Sequence, residues 1–183
     1  MDTKLLEQEI NEIKDENLKD LIEKVMHATP DWYCKMPSST SGSFHPIDEL
    51  GPGGKIIHHK KVFRLADEAV ERYGIKEYEY EVLKSACLIH DMPFCFYWDK
   101  EQNRYRTDPL HPFRNSFFCS KHCSDSILVS AIYYHMGRWS NYESEEAKKL
   151  SLERYKEHPV VMATQECDFY SSRRMILLLP NWY

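Results

Sequence analysis

Leu83-Lys84-Ser85-Ala86-Cys87-Leu88-Ile89-His90-Asp91 is the stretch on which the reading of this chain turns. Leu83, Ala86 and Ile89 fall at helical spacing, and Val82, Cys87 and Leu88 widen the apolar face. Pro93 stops the helix just beyond an adjacent His-Asp pair. An imidazole and a carboxylate are thus predicted at the end of an apolar helix. Charge there is costly unless it is paired or bound to metal. Alone, such a pair is equally a helix end in which Asp91 accepts the imidazole proton. Its meaning depends on what else in the chain can reach it.

Working outward, the punctuation predicts further helices. Residues 4–28 form an amphipathic stripe of Leu5, Leu6, Ile10, Ile13, Leu18, Leu21, Ile22 and Val25, with Thr3 as N-cap and a break near Asn17. Residues 31–54 are irregular, rich in Pro, Ser and Gly, and carry Trp32, Tyr33, Phe44 and His45. That is too aromatic for a free linker, so the segment is expected to pack over something. A helix over 56–73 ends at Gly74. Residues 78–91 follow, and 92–110 read as an aromatic, charged loop. Pro112 suits the first turn of a short helix. Ser124 is expected to cap an apolar helix that reaches His135. A charged, solvent-facing helix is predicted over 143–157. Pro159 opens a helix through Ser171 that carries Asp168, and an apolar tail at 175–179 docks as a strand-like segment or short helix. No segment alternates as a strand does, so the expected class is all-α, a bundle of six to eight helices in a single domain spanning 1–183. Its parts are an N-terminal helix (1–30), the irregular segment (31–54) and a helical core (55–174).

The net charge of −5 argues against a general nucleic-acid binder. No apolar run approaches about 18 residues, so no membrane span is expected. The first residues lack a secretory apolar core. The scattered cysteines read as reduced thiols, so a cytoplasmic setting is expected. Cys119 and Cys123 flank His122, but no second pair completes a zinc site.

The histidines matter by placement. His58, His90, His111 and His135 sit at starts or ends of predicted helices, and Asp91 and Asp168 have apolar neighbours. Imidazole and carboxylate suit Fe, Mn, Zn or Co near neutral pH. A carboxylate can also bridge two ions. His27, His122 and His158 read as surface residues. Trp32, Tyr97, Trp98 and Trp139 either stack on a base or anchor loops.

Taken together, the set resembles the HD-domain metal-dependent phosphohydrolase superfamily over 45–174. Gly53-Gly54-Lys55-Ile56-Ile57-His58 is similar to the opening of that family's first core helix, and Leu88-Ile89-His90-Asp91 to its HD signature. Leu110-His111-Pro112 resembles its third His, Ala131-Ile132-Tyr133-Tyr134-His135 its fourth, and Cys167-Asp168 through Arg173 its closing helix. The order H…HD…H…H…D is that of dinuclear members. The resemblance implies His58, His90, Asp91, His111, His135 and Asp168 as ligands of two divalent ions (Mn, Fe, Co or Zn, with Mg possible). Asp91 would bridge or orient them. His58, His90 and Asp168 would complete one site, and His111 and His135 the second. His90 and Asp91 are the catalytic pair. One of these histidines, or His59 or His45, would move a proton to the leaving oxygen. A phosphate ester also needs cations nearby. The candidates are Lys55, Lys61, Arg106, Arg114, Arg138 and Arg173, with Arg114 and Arg138 favoured. His45 is similar to an extra His in nuclease-like relatives, with a substrate or metal role.

Three departures stand out. Many relatives carry a Lys soon after the HD pair, where this chain has Met92-Pro93-Phe94-Cys95, and Lys100 is too distant. Cys167 replaces the usual Ala. Asn115 and Ser116 follow His111-Pro112 where a Gly is common. The expected activity is hydrolysis of a phosphate ester or anhydride, most readily of a nucleotide. The alternatives are an HD-type 3′-to-5′ exonuclease, a di-iron oxygenase, or a nucleotide-sensing module without turnover. A small phosphorylated substrate is the expected partner, with nucleic acid less favoured, no membrane, and self-association open.

Overall fold

The computed structural model describes residues 1–137 and 158–173, with Lys149 and Glu153. Among these residues the chain forms seven α-helices, three short 3-10 turns and one two-stranded hairpin, an all-α bundle. The expected charged helix at 143–157, the apolar tail, Arg138 and Trp139 lie outside the described residues.

The N-terminal stripe folds as a 3-10 turn (Thr3–Leu6), helix α1 (Glu7–Glu12) and helix α2 (Glu16–Ala28). One capping expectation needs correction here, while the expected break does divide the stripe into two helices. Asp2, rather than Thr3, accepts from the Lys4 amide. The break falls before Asn17, where the Asp15 carboxylate accepts from the Asn17 and Leu18 amides. A carboxylate beside the positive end of a helix satisfies orphan donors that a mid-helix residue cannot. Leu18, Leu21, Ile22 and Val25 are fully buried, and α2 packs on helix α4 (Tyr78–Ile89).

Helix α3 (Gly54–Tyr73) is bounded by Gly53 and Gly74, both at positive φ, where glycine carries no Cβ penalty. Residues 30–53 pack across its start. Lys55 N donates to Met36 O, and Ser38 N to Glu49 O. The segment keeps 3-10 turns only at Asp31–Lys35 and Ile47–Glu49.

The absence of strands is a second correction. Phe96–Asp99 (β1) pairs antiparallel with Arg104–Thr107 (β2), Phe96 facing Thr107 and Asp99 facing Arg104. Four-residue strands are too short to show alternation, and Tyr97, Trp98 and Tyr105 are partly exposed. The turn is set by the Asp99 carboxylate, which accepts from the Glu101 and Gln102 amides. Trp32 stacks on Tyr105 at 4.5 Å and Trp98 meets it edge-on at 4.9 Å, so both tryptophans anchor the hairpin.

Helix α5 (His111–Ser120) carries Pro112 in its first turn. Helix α6 (Ser126–Tyr134) is capped by Asp125, rather than Ser124, accepting from the Leu128 amide. Helix α7 (Pro159–Ser171) is capped by His158, whose Nδ1 accepts from the Val160 amide. That histidine therefore does more than face solvent. Helix α3 packs on α4 and α7, and α6 on α4, α5 and α7. Among the described residues no helix is long and apolar enough to cross a membrane.

Candidate metal centre

The packing of α3, α4, α6 and α7 brings polar groups from five helices to one end of an apolar core. Helix α4 ends by delivering His90 as its C-cap, and α6 likewise ends on His135. Helix α5 begins on His111. In all three, Nδ1 meets the carbonyl oxygen three residues back: Cys87 at 2.9 Å, Asp108 at 2.7 Å and Ile132 at 2.7 Å. A carbonyl only accepts, so Nδ1 carries the hydrogen and Nε2 keeps its lone pair. All three lone pairs belong to buried rings.

They converge on Asp91. Its Oδ1 lies 2.9 Å from His111 Nε2 and 3.3 Å from His135 Nε2. Its Oδ2 lies 3.4 Å from His90 Nε2 and accepts from the Lys55 ammonium. Asp168 of α7 closes the other side, with Oδ1 3.1 Å from His58 Nε2 and 3.7 Å from His90 Nε2. The six groups expected to share a centre are therefore together. One oxygen of Asp91 faces His111 and His135, and the other faces His90.

Two features fit a bound cation. His90 Nε2 is buried and receives no hydrogen bond, which is costly for a polar atom with no other partner. The Nε2 atoms of His111 and His135 stand 3.1 Å apart with both Nδ1 atoms committed elsewhere. Two lone pairs at that distance repel unless a proton or an ion lies between them. Two nitrogens each about 2.1 Å from one ion fit that separation. The donor set, imidazole and carboxylate, suits divalent transition metals. Among the described residues, four buried or half-buried groupings meet the ligand spacing for a metal: His45-Glu49-His58, His58-His90-Asp91, His90-His135-Asp168 and Asp91-Cys95-His111.

Charge is tightly balanced. Burial works against ionising Asp91, yet the Lys55 ammonium outweighs it and holds the carboxyl well below its usual range. Asp168 is lowered as well, burial being overcome by its hydrogen bond to His58. Burial alone would depress His58, but Glu49 and Asp168 raise it to about 9.

Glu49 carried no sequence signal. Fully buried on its 3-10 turn, it offers Oε2 to His45 Nδ1 at 2.7 Å and to His58 Nδ1 at 3.2 Å, while Oε1 meets Lys61 Nζ at 3.0 Å. Carboxylates behind ligand histidines fix ring orientation and raise basicity. Ser171 Oγ also reaches His58 Nδ1, at 3.1 Å. Asn115, in place of the common Gly, accepts from the Phe94 amide and donates to His90 O, tying α5 to the turn after the pair.

The cavity above the centre holds about 330 Å³. His45, Lys55 and Arg173 line it, with Ser38, Ser39, Ser41, Ser43 and Phe44 along one wall. Arg173 lies over Phe169, 4.4 Å from the ring centre, and over Phe44 at 5.2 Å. Other expected residues lie elsewhere. His59 is fully buried, bonded through Nε2 to Tyr33 Oη at 2.8 Å, and is not among the cavity's lining residues. A proton donor must reach the substrate, so the role expected of His59 does not fit its position. Arg114, favoured as a phosphate cation, is exposed, does not line the cavity and pairs with Asp108 at 3.2 Å. Arg106 pairs with Asp99 on the hairpin, and Lys61 is committed to Asp48 and Glu49. Lys55 places an ammonium on Asp91, where the sequence after the HD pair supplies none.

No family model matches the chain, and neither a curated protein nor a solved structure matches it.

Proposed function

We propose that this chain is a metal-dependent phosphohydrolase of the HD type, acting on a phosphate ester or anhydride of nucleotide size. The observation that carries this reading is the set of three Nδ1-anchored histidines aiming Nε2 at Asp91 on the floor of an open cavity. His58, His90 and Asp168 would hold one divalent ion and His111 and His135 a second, and Asp91 would contribute to both. When bound, such ions make water acidic near neutral pH and polarise a phosphoryl oxygen.

The chain's own side chains supply the rest. Arg173 presents a guanidinium to an incoming anion, its plane supported by Phe169 and Phe44. Serine hydroxyls at 39, 41 and 43 offer hydrogen bonds to sugar or phosphate oxygens, while that of Ser38 is spent on Gly54 O. His45 commits Nδ1 to Glu49, which leaves Nε2 for the reaction. Burial lowers its pKa, with Glu49 partly opposing, so the ring rests neutral. It takes a proton from the attacking water and returns it to the leaving oxygen. The cavity volume supports a small ligand rather than a polymer.

The test is phosphate release from a panel of nucleotides and other phosphate esters with Mn²⁺, Co²⁺ or Mg²⁺. The expected result is turnover that disappears, together with bound metal, in Asp91→Ala. Metal binding and nucleotide binding without any product would favour a sensor. Failure to bind metal would remove the reading altogether.

A further inference from the structure

We propose that Cys95 is a further ligand of this centre, binding as a thiolate on the side formed by Asp91 and His111. The inference rests on the metal-centre reading above and adds a sulfur donor that the six-residue set lacks. Cys95 is 2% exposed, lines the floor of the cavity, and has Sγ within 4.8 Å of ligand atoms of both Asp91 and His111, all three residues being buried. The independent sign of a cation on this side is the pair of facing, buried Nε2 atoms of His111 and His135, 3.1 Å apart with both Nδ1 atoms committed to carbonyls.

The hairpin explains how the thiol arrives there. Cys95 O accepts from the Asp108 amide at 2.8 Å, and Asp108 O in turn accepts from His111 Nδ1 at 2.7 Å. Residues 96–107 leave and return at one point, so the open end of the ladder holds Cys95 beside His111. The Lys55 ammonium already faces both Asp91 and the Cys95 thiol. Burial and Asp91 push the Cys95 thiol's pKa up and Lys55 only partly opposes them, so it is a bound ion that must draw off the proton. On coordination, the S–H bond gives its proton to solvent and a sulfur–metal bond forms, with no change in oxidation state. A thiolate among nitrogen and oxygen donors favours Zn²⁺, Co²⁺ or Fe²⁺ over Mg²⁺, Ca²⁺ and Mn²⁺. The competing view is that Cys95 serves only as a second acceptor for Lys55.

Cobalt substitution separates the two. The full chain loaded with Co²⁺ should show a near-ultraviolet sulfur-to-cobalt charge-transfer band beside the visible ligand-field bands. The near-ultraviolet band should vanish in Cys95→Ser and persist in Cys34→Ser, whose thiol caps the Asp31 carbonyl. Cobalt-edge X-ray absorption on the unaltered chain should find a sulfur neighbour, and this holds whether or not Cys95→Ser folds. Visible bands without a charge-transfer band or sulfur neighbour would overturn the thiolate while leaving the His/Asp centre standing. A band that survives in Cys95→Ser would overturn it too. Absence of any cobalt binding would remove the centre itself.

Discussion

Gly54 lies so close to Glu49 that a Cβ added at position 54 would stand 1.9 Å from the Glu49 carbonyl oxygen and 2.4 Å from its carbonyl carbon. Backbone cannot yield as a side chain can. The hydrogen is needed because the 46–50 turn rests directly on the start of α3, which sets Glu49 behind His58. Gly54→Ala should force the turn away and cost about 1–3 kcal/mol or more. Divalent-metal affinity should fall with it. Thermal unfolding and a metal titration on the same variant check this. Unchanged values in both would mean that the contact has no consequence.

Glu49 serves the His58 and Lys61 cations and the neutral His45 ring at once, so charge and shape can be separated by two substitutions. Glu49→Gln keeps the volume and an acceptor oxygen but removes the charge. Glu49→Ala removes both, leaving Lys61 with Asp48 alone and His58 with Ser171 alone behind it. Breaking a buried ion pair from one side costs about 3–5 kcal/mol. Loss of a carboxylate behind a ligand histidine costs roughly 10–100-fold in metal affinity. Chemical denaturation should rank the alanine variant as the less stable. Isothermal titration with Zn²⁺ should find both weakened. Wild-type affinity in Glu49→Gln would show that the charge does not matter.

Much of this centre was legible because its members sit where helices start and stop. Pro93, Pro112, Gly74 and Pro159 mark those ends, and apolar periodicity fills the intervals. His90, His111 and His135 could therefore be placed without knowing the packing. Glu49 could not, because a 3-10 turn has no periodicity and its burial is created by α3 lying beneath it. The hairpin escaped for a related reason: its strands are shorter than the pattern that reveals strands. Asp125 displaced Ser124 as a cap because adjacent residues of near-equal capping strength are decided by the path of the chain. Arg114 illustrates the limit of proximity in sequence. It lies one turn from His111, yet Asp108 draws its guanidinium away from the cavity.

Lys55 stands where a metal's charge would be felt most, which gives its removal an unusual signature. Without the ammonium, the buried Asp91 carboxylate loses its strongest compensation, and Lys55→Met should destabilise the chelator-treated protein by about 3–5 kcal/mol. A divalent ion restores that compensation. The deficit should shrink markedly in saturating Zn²⁺ or Mn²⁺, as ligand binding to the native state adds stability. Melting curves with and without metal check the pattern. An equal deficit in both conditions would show that Lys55 acts by packing rather than charge.

Arg173 sits at the rim rather than on the floor, so its contribution should be to capture the anion. Arg173→Ala should raise KM about tenfold with little change in kcat, the pattern of an interaction made equally in ground and transition states. Phe169→Leu, which removes the ring beneath the guanidinium, should move KM in the same direction by less. A fall in kcat with KM unchanged would place Arg173 in the chemical step instead.

His58 predicts how the chelator-treated protein responds to pH. Its pKa in the fold is raised to about 9, above about 6.5 in an unfolded chain, because Glu49 and Asp168 overcome the burial that opposes its charge. A group raised on folding stabilises fully below its unfolded pKa and loses that contribution as pH climbs through its folded one. Stability should therefore decline between about pH 6.5 and 9, by roughly 3 kcal/mol over the window. Glu49 and Asp168 act in the opposite sense. Both are depressed in the fold, so their contribution is present above the usual carboxylate range and fades as acid titrates them. His45 and His59 are lowered by burial, so their neutral rings cost stability as pH falls below about 6.5, and the metal-free chain should be most stable near that pH. Ion binding needs the His58 proton gone, so metal affinity should rise across the interval in which the free protein weakens. Melting temperatures of chelator-treated protein at pH 6 and 9, beside Zn²⁺ titrations at both, measure the two trends. Parallel movement of stability and affinity, or no movement in either, would mean that His58 is not the proton that the metal displaces.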